Sequence, residues 1–213
     1  MEYIKLLIKY LITLLFSIIN CRKVKLKSGY NSCLFNCSVK GDCGRIRIGN
    51  HTYLNGCRFF FKGKMNNVII GDNVYLRNVT FWFEDDNNEI IIGNQTTMEG
   101  NTQLAACEQT KIVIGSDCMF SSNIYVRTTD SHSIIDLNGN RLNTAKDIII
   151  GNHVWVGMQC LILKGANIPN NCIIGARSLI SAKLRANANS LIAGQPAMMI
   201  KGSINWCRER IKI

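Results

Sequence analysis

The chain has 213 residues, which limits it to one large domain or two small ones. Hydrophobic residues make up 47% and charged residues 18%, a composition that excludes an intrinsically disordered protein. The 25 lysines and arginines outnumber the 14 acidic residues, so the net charge is +11. That excess predicts an anionic partner: a phosphate-bearing ligand, an acidic glycan, nucleic acid or an anionic membrane. The ten cysteines are too sparse for a disulfide scaffold.

The first segment, residues 4–19, is apolar except for four polar residues spaced four apart, which are Lys5, Lys9, Thr13 and Ser17. On a helix these residues form one narrow polar stripe, so the spacing predicts an amphipathic helix over residues 1–22. Sixteen helical residues rise about 24 Å, which is shorter than the roughly 30 Å hydrocarbon core of a bilayer.

Two interpretations of this helix stay open. It fits a helix lying in a membrane interface with Lys23, Lys25 and Lys27 near lipid phosphates, and it fits equally a helix packed on its own protein or a neighbouring subunit. A secretory signal is disfavoured because no small-residue cleavage site follows Ile19. We therefore expect a cytoplasmic protein, with peripheral contact to the inner membrane face through residues 4–19 as one of the two options.

A six-residue repeat dominates the rest of the chain. Every sixth residue from Ile150 to Ile180 is Ile or Val, and these residues are Ile150, Val156, Ile162, Ile168, Ile174 and Ile180. A helix repeats at about 3.6 residues and a flat sheet at about two, so neither produces this spacing. A prism with three short parallel strands per turn does, and the repeat therefore predicts an all-β solenoid, a parallel β-helix.

The pattern continues upstream with a period of 22, marked by Ile-Gly pairs that begin at Ile48, Ile70, Ile92 and Ile114. The inward residues predicted on the next two faces are Leu54 and Phe60, Leu76 and Trp82, Met98 and Leu104, and Phe120 and Val126. Four extra residues per coil predict small polar loops within 62–67, 84–89 and 107–111. Leu26 stands 22 residues before Ile48 and predicts the first of about eight coils.

Small residues complete the predicted prism. We expect Cys118, Cys160 and Cys172 to fill small inward positions as buried apolar side chains. The glycine of each Ile-Gly pair is expected to give the backbone freedom that a tight corner requires. The Asn or Asp beside it is expected to tolerate a left-handed turn.

The ladder breaks between Val126 and Ile150, where a polar stretch replaces the inward aliphatic residues. This break predicts a loop extruded from the prism near residues 128–147. The loop contains His132, and a loop held by a rigid scaffold is where a solenoid places chemistry.

Two stretches resemble the hexapeptide-repeat acyltransferase family. TTDSHSIIDLNGNRLNTAKDIIIGNHVWVG, residues 128–157, is similar to the branch that O-acetylates sugars of bacterial surface polysaccharides, and IAGQPAMMIKG, residues 192–202, is similar to the segment that closes the β-helix. The resemblance implies a left-handed β-helix, a homotrimer with sites between adjacent subunits, acetyl-CoA as acyl donor and a glycan acceptor. It divides the chain into an N-terminal helix (1–22), a catalytic β-helix (23–202) and a tail with a short C-terminal helix (203–213).

The resemblance also implies two catalytic residues. A hydroxyl is a poor nucleophile near neutral pH, so a base must take its proton, and His132 resembles the catalytic base of the family. Trp155 resembles a tryptophan beside the reacting thioester, although an outward tryptophan also fits interface filling. The candidate substrate-binding residues stand at the root of the loop and are Asn123, Arg127 and Asp130. Asn123 and Arg127 fit trimer contacts equally well, and Asp130 or Ser131 could instead orient the imidazole.

The predicted cofactor-binding residues lie on the last coils, and they are Gly157, Ala176, Ser178, Lys183, Arg185 and Lys201. The resemblance places Gly157 beside the pantetheine arm of the coenzyme and the three cations near its phosphates. The sequence departs from the family at Ala182 and Met198, where basic residues are common, and this leaves the individual phosphate contacts open.

The resulting prediction is an acetyl-CoA-dependent O-acetyltransferase that works by direct transfer in a ternary complex. Two alternatives stay open: a non-catalytic β-helix scaffold, which would not explain the interrupted coil, and an N-acyltransferase acting on an amino sugar. A zinc-dependent carbonic anhydrase needs paired histidines, and His51, His132 and His153 lack that spacing, so we expect no metal. The positive charge comes without a recognition element, so we expect no nucleic-acid partner.

Overall fold

The computed structural model describes residues 24–41 and 43–211, and the helix predicted over 1–22 lies outside them. The strands, numbered β1 to β23 in chain order, form three sheets. Sheet A contains β1 (Val24–Ser28), β4 (Gly44–Ile48), β7 (Asn67–Ile70), β10 (Glu89–Ile92), β13 (Lys111–Ile114), β16 (Ile148–Ile150) and β19 (Asn167–Ile168). Sheet B contains β2 (Cys33–Phe35), β5 (Tyr53–Asn55), β8 (Tyr75–Arg77), β11 (Thr97–Met98), β14 (Met119–Phe120), β17 (Trp155–Val156), β20 (Ile173–Ile174), β22 (Leu191–Gly194) and β23 (Ala197–Lys201). Sheet C contains β3 (Ser38–Gly41), β6 (Arg58–Phe61), β9 (Val79–Phe83), β12 (Thr102–Ala105), β15 (Tyr125–Arg127), β18 (Leu161–Leu163) and β21 (Leu179–Ile180).

The chain visits sheets A, B and C in turn, so each coil adds one parallel strand to each sheet. Seven complete coils are stacked, and β22 begins an eighth, which confirms the predicted solenoid of about eight coils. The last strand, β23, pairs antiparallel with β22. Among residues 24–41 and 43–211, no helix is long and apolar enough to cross a membrane.

The C-terminal helix is a prediction that the structure contradicts. Residues 203–211 form an irregular tail without helical turns. The side chains of Trp206 and Arg208 bind the outer surface of the solenoid instead. These contacts hold the segment against the prism in a conformation that does not close helical backbone hydrogen bonds.

The core of the solenoid is the predicted ladder. Every residue of the six-residue series from Ile150 to Ile180 is at most 1% exposed. Cys118, Cys160 and Cys172 are 0% exposed and occupy the small inward positions as expected. One apolar side chain per strand, stacked coil on coil, therefore supplies the continuous core that this fold needs.

On sheet C of the second and third coils the predicted inward residues are wrong. Phe60 and Trp82 point outward and stack on each other at 4.2 Å, while the phenylalanines on either side of them point inward. Those inward residues are Phe59, Phe61, Phe81 and Phe83. The corner between sheets B and C is one residue shorter in these coils than in the next two. The inward Phe59 follows the inward Leu54 by five residues, whereas Leu104 follows Met98 by six.

Glycine is needed at the corner that follows each sheet A strand, but for a different reason from the one that the sequence predicted. Gly49 does not have a positive φ; a Cβ atom there would lie 2.5 Å from the carbonyl carbon of Gly71 in the next coil. Close stacking of the coils, rather than backbone freedom, therefore requires glycine. The polar residue beside it accepts a hydrogen bond from the previous coil, as Asp72 Oδ1 does from the Asn50 amide at 2.6 Å. The left-handed residue is one position later, at His51 in this coil. The same position in the third and fifth coils is Asn73 and Asp117, where the predicted left-handed turn at an Asn or Asp is confirmed.

The first coil is shorter than predicted. Leu26 pairs in register with Ile46, and Ser28 pairs with Ile48, so this coil advances by 20 residues rather than 22. The later coils of the C-terminal half advance by 18, as from Ile150 to Ile168. Between Ile112 and Ile148 the step is 36, and this extra length is the extruded loop.

Candidate active site

The extruded loop is an ordered hairpin, called the arm here and defined as residues 128–147. It leaves the prism at the corner between β15 of sheet C and β16 of sheet A. Ile135 and Arg141 form an antiparallel bridge, and Asp136 Oδ1 accepts hydrogen bonds from the amides of Asn138 and Asn140 at 2.9 and 2.8 Å. The turn chemistry of Asp136 therefore closes the tip of the arm.

Glu108, from the polar loop one coil earlier, braces the arm. Its carboxylate accepts hydrogen bonds from both terminal nitrogens of Arg141, each at 2.8 Å, and from Thr129 Oγ at 2.5 Å. The Arg141 guanidinium holds the pKa of Glu108 below its ordinary value, against a smaller opposing effect of burial, and Thr129 lowers it further. The arm is thus tied to the prism at two points of its length.

His132 lies on the exposed side of the arm. Its backbone carbonyl accepts a hydrogen bond from Asn143 Nδ2 at 2.8 Å, and the same amide reaches Asp130 Oδ2 at 2.7 Å. Among the described contacts the imidazole has no hydrogen-bond partner, so neither Asp130 nor Ser131 orients it within one chain. The ring is open to a substrate or a neighbouring subunit.

Asp130 is held by Lys164 as well as by Asn143. The Lys164 ammonium forms an ion pair with Asp130, and this contact holds the pKa of the carboxyl below its ordinary value, with a further contribution from Asn143. Asp130 therefore fastens the turn that carries His132. Sequence reasoning missed Lys164, although the ladder could have located it: Val126 pairs with Ile162, which places Lys164 one coil above Thr128.

The other two substrate candidates also lie near the root of the arm. Arg127 donates to Ser131 Oγ at 2.8 Å, and its own Nε is buried without a partner. Ser131 Oγ donates in turn to Glu84 Oε2 at 3.3 Å, so Arg127 and Glu84 both support the arm. Asn123 is exposed at the corner before β15, with a left-handed φ of 57°.

Trp155 projects outward from sheet B and is 38% exposed. The C-terminal tail brings Trp206 to a ring-centroid distance of 6.1 Å from it. Trp206 is only 7% exposed because it stacks on the His153 ring at 4.2 Å and donates its indole N–H to the His153 carbonyl at 3.0 Å. The tail therefore forms one wall of the surface around Trp155, a contribution that the repeat pattern could not reveal because the tail lies outside the repeat.

His153 and Asp117 fasten this tail. His153 Nδ1 lies 2.6 Å from Asp117 Oδ2 and Nε2 lies 3.0 Å from the Trp206 carbonyl oxygen, and both partners are acceptors. Arg208 Nε donates to the second oxygen of Asp117 at 3.0 Å. Burial opposes ionisation of Asp117, but its hydrogen bonds to His153 and Arg208 outweigh that effect and hold its pKa below the ordinary value. His153 is therefore occupied by the tail.

The predicted cofactor residues divide into three groups. Ser178 must be corrected: its side chain is 1% exposed and its hydroxyl donates to the Gly175 carbonyl at 2.6 Å, so it fills an inward position and cannot touch a ligand outside. Packing within the chain itself requires glycine at position 157, because a Cβ atom there would lie 2.7 Å from the Ala176 amide nitrogen. Ala176 and the predicted cations are exposed, and these cations are Lys183, Arg185 and Lys201.

A shallow cleft of about 550 Å³ runs along the last coils, and Arg185 and Met199 lie in its wall. Gly165, Ala182 and Leu184 contribute to the same wall. Arg185 is held there by hydrogen bonds from its Nη1 to the carbonyls of Ala182 and Leu184 at 3.0 and 2.8 Å. The Nε and Nη2 donors of Arg185 have no described hydrogen-bond partner, and the role of this residue at a coenzyme phosphate stays a prediction.

The two predicted catalytic residues do not meet within one chain. The arm with His132 leaves the corner between sheets C and A, whereas Trp155 stands on sheet B, the face opposite that corner. Within the part of the chain that the structure describes, no three His, Cys, Asp or Glu side chains are grouped as metal ligands. The groups available for chemistry are the exposed imidazole of His132, the outward indole of Trp155 and the guanidinium of Arg185 in the cleft.

Comparison with known proteins gives a consistent picture. No protein-family model matches the chain. It is 34% identical over 92 residues to the polysialic acid O-acetyltransferase of Escherichia coli O1:K1, covering 43% of this chain and 29% of the relative. It is 53% identical over 49 residues to the Neisseria meningitidis enzyme of the same name, covering 22% and 23%, so these matches span less than a third of either relative. The crystal structure of the polysialic acid O-acetyltransferase OatWY superposes with a TM-score of 0.80 at 32% identity, covering 89% of this chain and 92% of that chain.

Proposed function

This chain belongs to the hexapeptide-repeat, left-handed β-helix acyltransferase family, and from that premise we propose that it transfers an acetyl group from acetyl-coenzyme A to a hydroxyl of a bacterial surface polysaccharide. The observation that carries the proposal is the arm, which is the largest insertion among the described coils and presents an imidazole to solvent. The acceptor class is proposed from the similar proteins, which are polysialic acid O-acetyltransferases.

On this proposal His132 is the general base. The acceptor hydroxyl oxygen bonds to the thioester carbonyl carbon while the imidazole takes the hydroxyl proton. The carbon–sulfur bond then breaks, and the imidazolium returns the proton to the leaving thiolate. The free imidazole fits this role, because a base already hydrogen-bonded to its own chain would be less available to a substrate.

The two halves of this site come from different subunits in a proposed homotrimer. A single chain separates His132 from Trp155 by the width of the prism. The arm also exposes four aliphatic side chains, more apolar surface than an isolated hairpin would present to water. They are Ile134, Ile135, Leu137 and Leu142, which are 58, 60, 107 and 63% exposed. A threefold arrangement would lay these side chains and His132 over sheet B of the next subunit, beside its Trp155.

The donor is proposed to lie along the last coils. The cleft that contains Arg185 gives the coenzyme phosphates a fixed guanidinium, and Lys183 and Lys201 add positive charge nearby. The pantetheine chain would pass the small, exposed side chain of Ala176 on the way to Trp155. We propose that the reaction takes place in the cytoplasm, a compartment in which the nine described cysteines would stay reduced.

The test is acetyl transfer by the full-length protein. Purified protein is incubated with acetyl-CoA and a panel of acidic and neutral polysaccharides, with free thiol and acceptor mass as readouts. We expect His132→Ala to lower kcat by about 10²- to 10⁴-fold and the matched variant His51→Ala to leave it unchanged. Normal turnover by His132→Ala would refute the role of His132, and no acceptor-dependent thiol release by the unaltered chain would refute the function.

Two further measurements separate the alternatives. An ester product is lost in mild base and an amide is not, so a base-stable product on an amino sugar would replace O-transfer by N-transfer. Light scattering coupled to size-exclusion chromatography measures the molar mass of the protein in solution, and we expect the mass of three chains. A stable, fully active monomer would contradict the shared site.

A further inference from the structure

Four basic side chains form a block on the outer face of sheet A, at the start of the described solenoid. Lys25 and Lys27 of β1 stand in register with Arg45 and Arg47 of β4, and all four are exposed. Alternate residues of a strand and neighbouring strands of a sheet are spaced so that these four positions span about 7 by 5 Å. A flat, densely positive surface results.

The block is not neutralised by the residues around it. No described acidic side chain forms an ion pair with any of its four members. Glu89, which follows Arg45 and Asn67 along the same column, pairs instead with Lys111 at 3.3 Å. Like charges directly opposite each other on neighbouring strands destabilise a sheet. The block therefore opposes folding unless an anionic ligand offsets the repulsion.

We propose that this block binds the anionic lipid headgroups of a membrane surface. The sequence that leads into it supports this partner, because the apolar residues 4–19 are followed by Arg22 and Lys23, and Lys25 comes after one intervening residue. A planar layer of phosphates matches a planar block of cations. The arm leaves the prism three coils beyond β4, about 14 Å along the axis. Lipid binding by the block is therefore separate from the proposed acetyl transfer and does not depend on it.

Vesicle flotation with the full-length protein tests the proposal. We expect partition onto vesicles that contain phosphatidylglycerol, little partition onto phosphatidylcholine alone, and release as salt rises from about 0.05 to 0.5 M. Each basic residue near an anionic surface strengthens binding by about fivefold, so Arg45→Gln/Arg47→Gln should weaken partition by about 30-fold. The matched control Arg58→Gln/Lys62→Gln removes two exposed charges from the same coil on another face, and its partition should remain close to that of the unaltered chain.

Three results would overturn the proposal. The first is equal partition of the unaltered chain onto neutral and anionic vesicles. The second is an equal loss of partition in Arg45→Gln/Arg47→Gln and in the control Arg58→Gln/Lys62→Gln. The third is that Arg45→Gln/Arg47→Gln is no longer retained on an acidic polysaccharide column but still partitions onto anionic vesicles. The last result would make the block a glycan site. If Arg45→Gln/Arg47→Gln does not fold, Lys25→Gln/Lys27→Gln tests the same block from β1. Acetyl transfer to a soluble acceptor, measured in parallel, should be unchanged in each variant.

Discussion

Removing the Glu108 carboxylate should release the arm without unfolding the prism. Glu108→Ala deletes the paired hydrogen bonds from Arg141 and the bond from Thr129. The Arg141 and Glu108 side chains are 32 and 26% exposed, so solvent weakens the pair. The solvent-exposed pair with Arg141 is left out of the sum, and the hydrogen bond from the buried Thr129 to the charged carboxylate gives about 2 kcal/mol of lost docking free energy. That corresponds to about a 30-fold fall in the ratio of docked to undocked arm.

Hydrogen exchange read by mass spectrometry is the direct assay. Amides of residues 128–147 should exchange up to about 30-fold faster in Glu108→Ala, while strands of the inward ladder keep their protection. If His132 acts from the docked arm, kcat/KM should fall in the same variant by up to the same factor. The matched control is Glu89→Ala, which removes an acidic partner of Lys111 on sheet A and does not touch the arm.

Two outcomes would refute this reasoning. Unchanged exchange in the arm would mean that Glu108 does not hold it. A fall in the melting temperature of the whole chain by about 4–8 °C would mean that the arm and prism unfold together, so that 2 kcal/mol acts on the entire cooperative unit.

Three other predictions follow from separate features. Gly157→Ala should lower the free energy of unfolding by about 1–3 kcal/mol in a urea titration, because the added Cβ atom meets backbone atoms of the next coil; an unchanged midpoint would contradict the contact. The lowered pKa of Asp130 means that its stabilising charge is present above the ordinary carboxyl pKa of about 3.9 and is lost as pH falls through the lower folded value, so arm exchange should rise only in strong acid. Asp130→Asn should reduce that rise and leave the part that comes from Glu108, and an unchanged acid dependence would contradict the role of Asp130. Cys118, with its pKa raised to about 11 by burial, should resist iodoacetamide in the native protein while the exposed Cys207 is alkylated, and equal labelling would place Cys118 outside the core.

The fold was predictable because its core is one-dimensional. One aliphatic side chain per strand must point inward, and a six-residue period states that requirement in the sequence itself. The prediction failed where hydrophobicity could not distinguish the inward residue of a strand from its neighbours. Phe59, Phe60 and Phe61 are consecutive and equally apolar, so only the length of the preceding corner decides which of them faces inward.

The candidate site was less predictable because it is built from contacts between distant segments. The arm and His132 are visible as a break in the ladder. Glu108 and Lys164, which hold the arm, could have been located by counting coils, since each follows a strand at the same corner of the prism. Trp206 could not have been located in this way, because residues 203–211 follow no repeat. Its position depends on stacking against the His153 ring.

The reversal of direction at β23 decides how chains can associate end to end. The last coil of a parallel solenoid has an edge of unpaired backbone groups that could template another coil, and a protein with such an edge is at risk of growing into a filament. Here β23 lies antiparallel on β22 and covers the C-terminal edge of sheet B. The final strands of sheets A and C, β19 and β21, have only two residues each and offer little to pair with. The C-terminal end is thus closed to stacking, so head-to-tail growth of copies of this chain into a filament is blocked at this end.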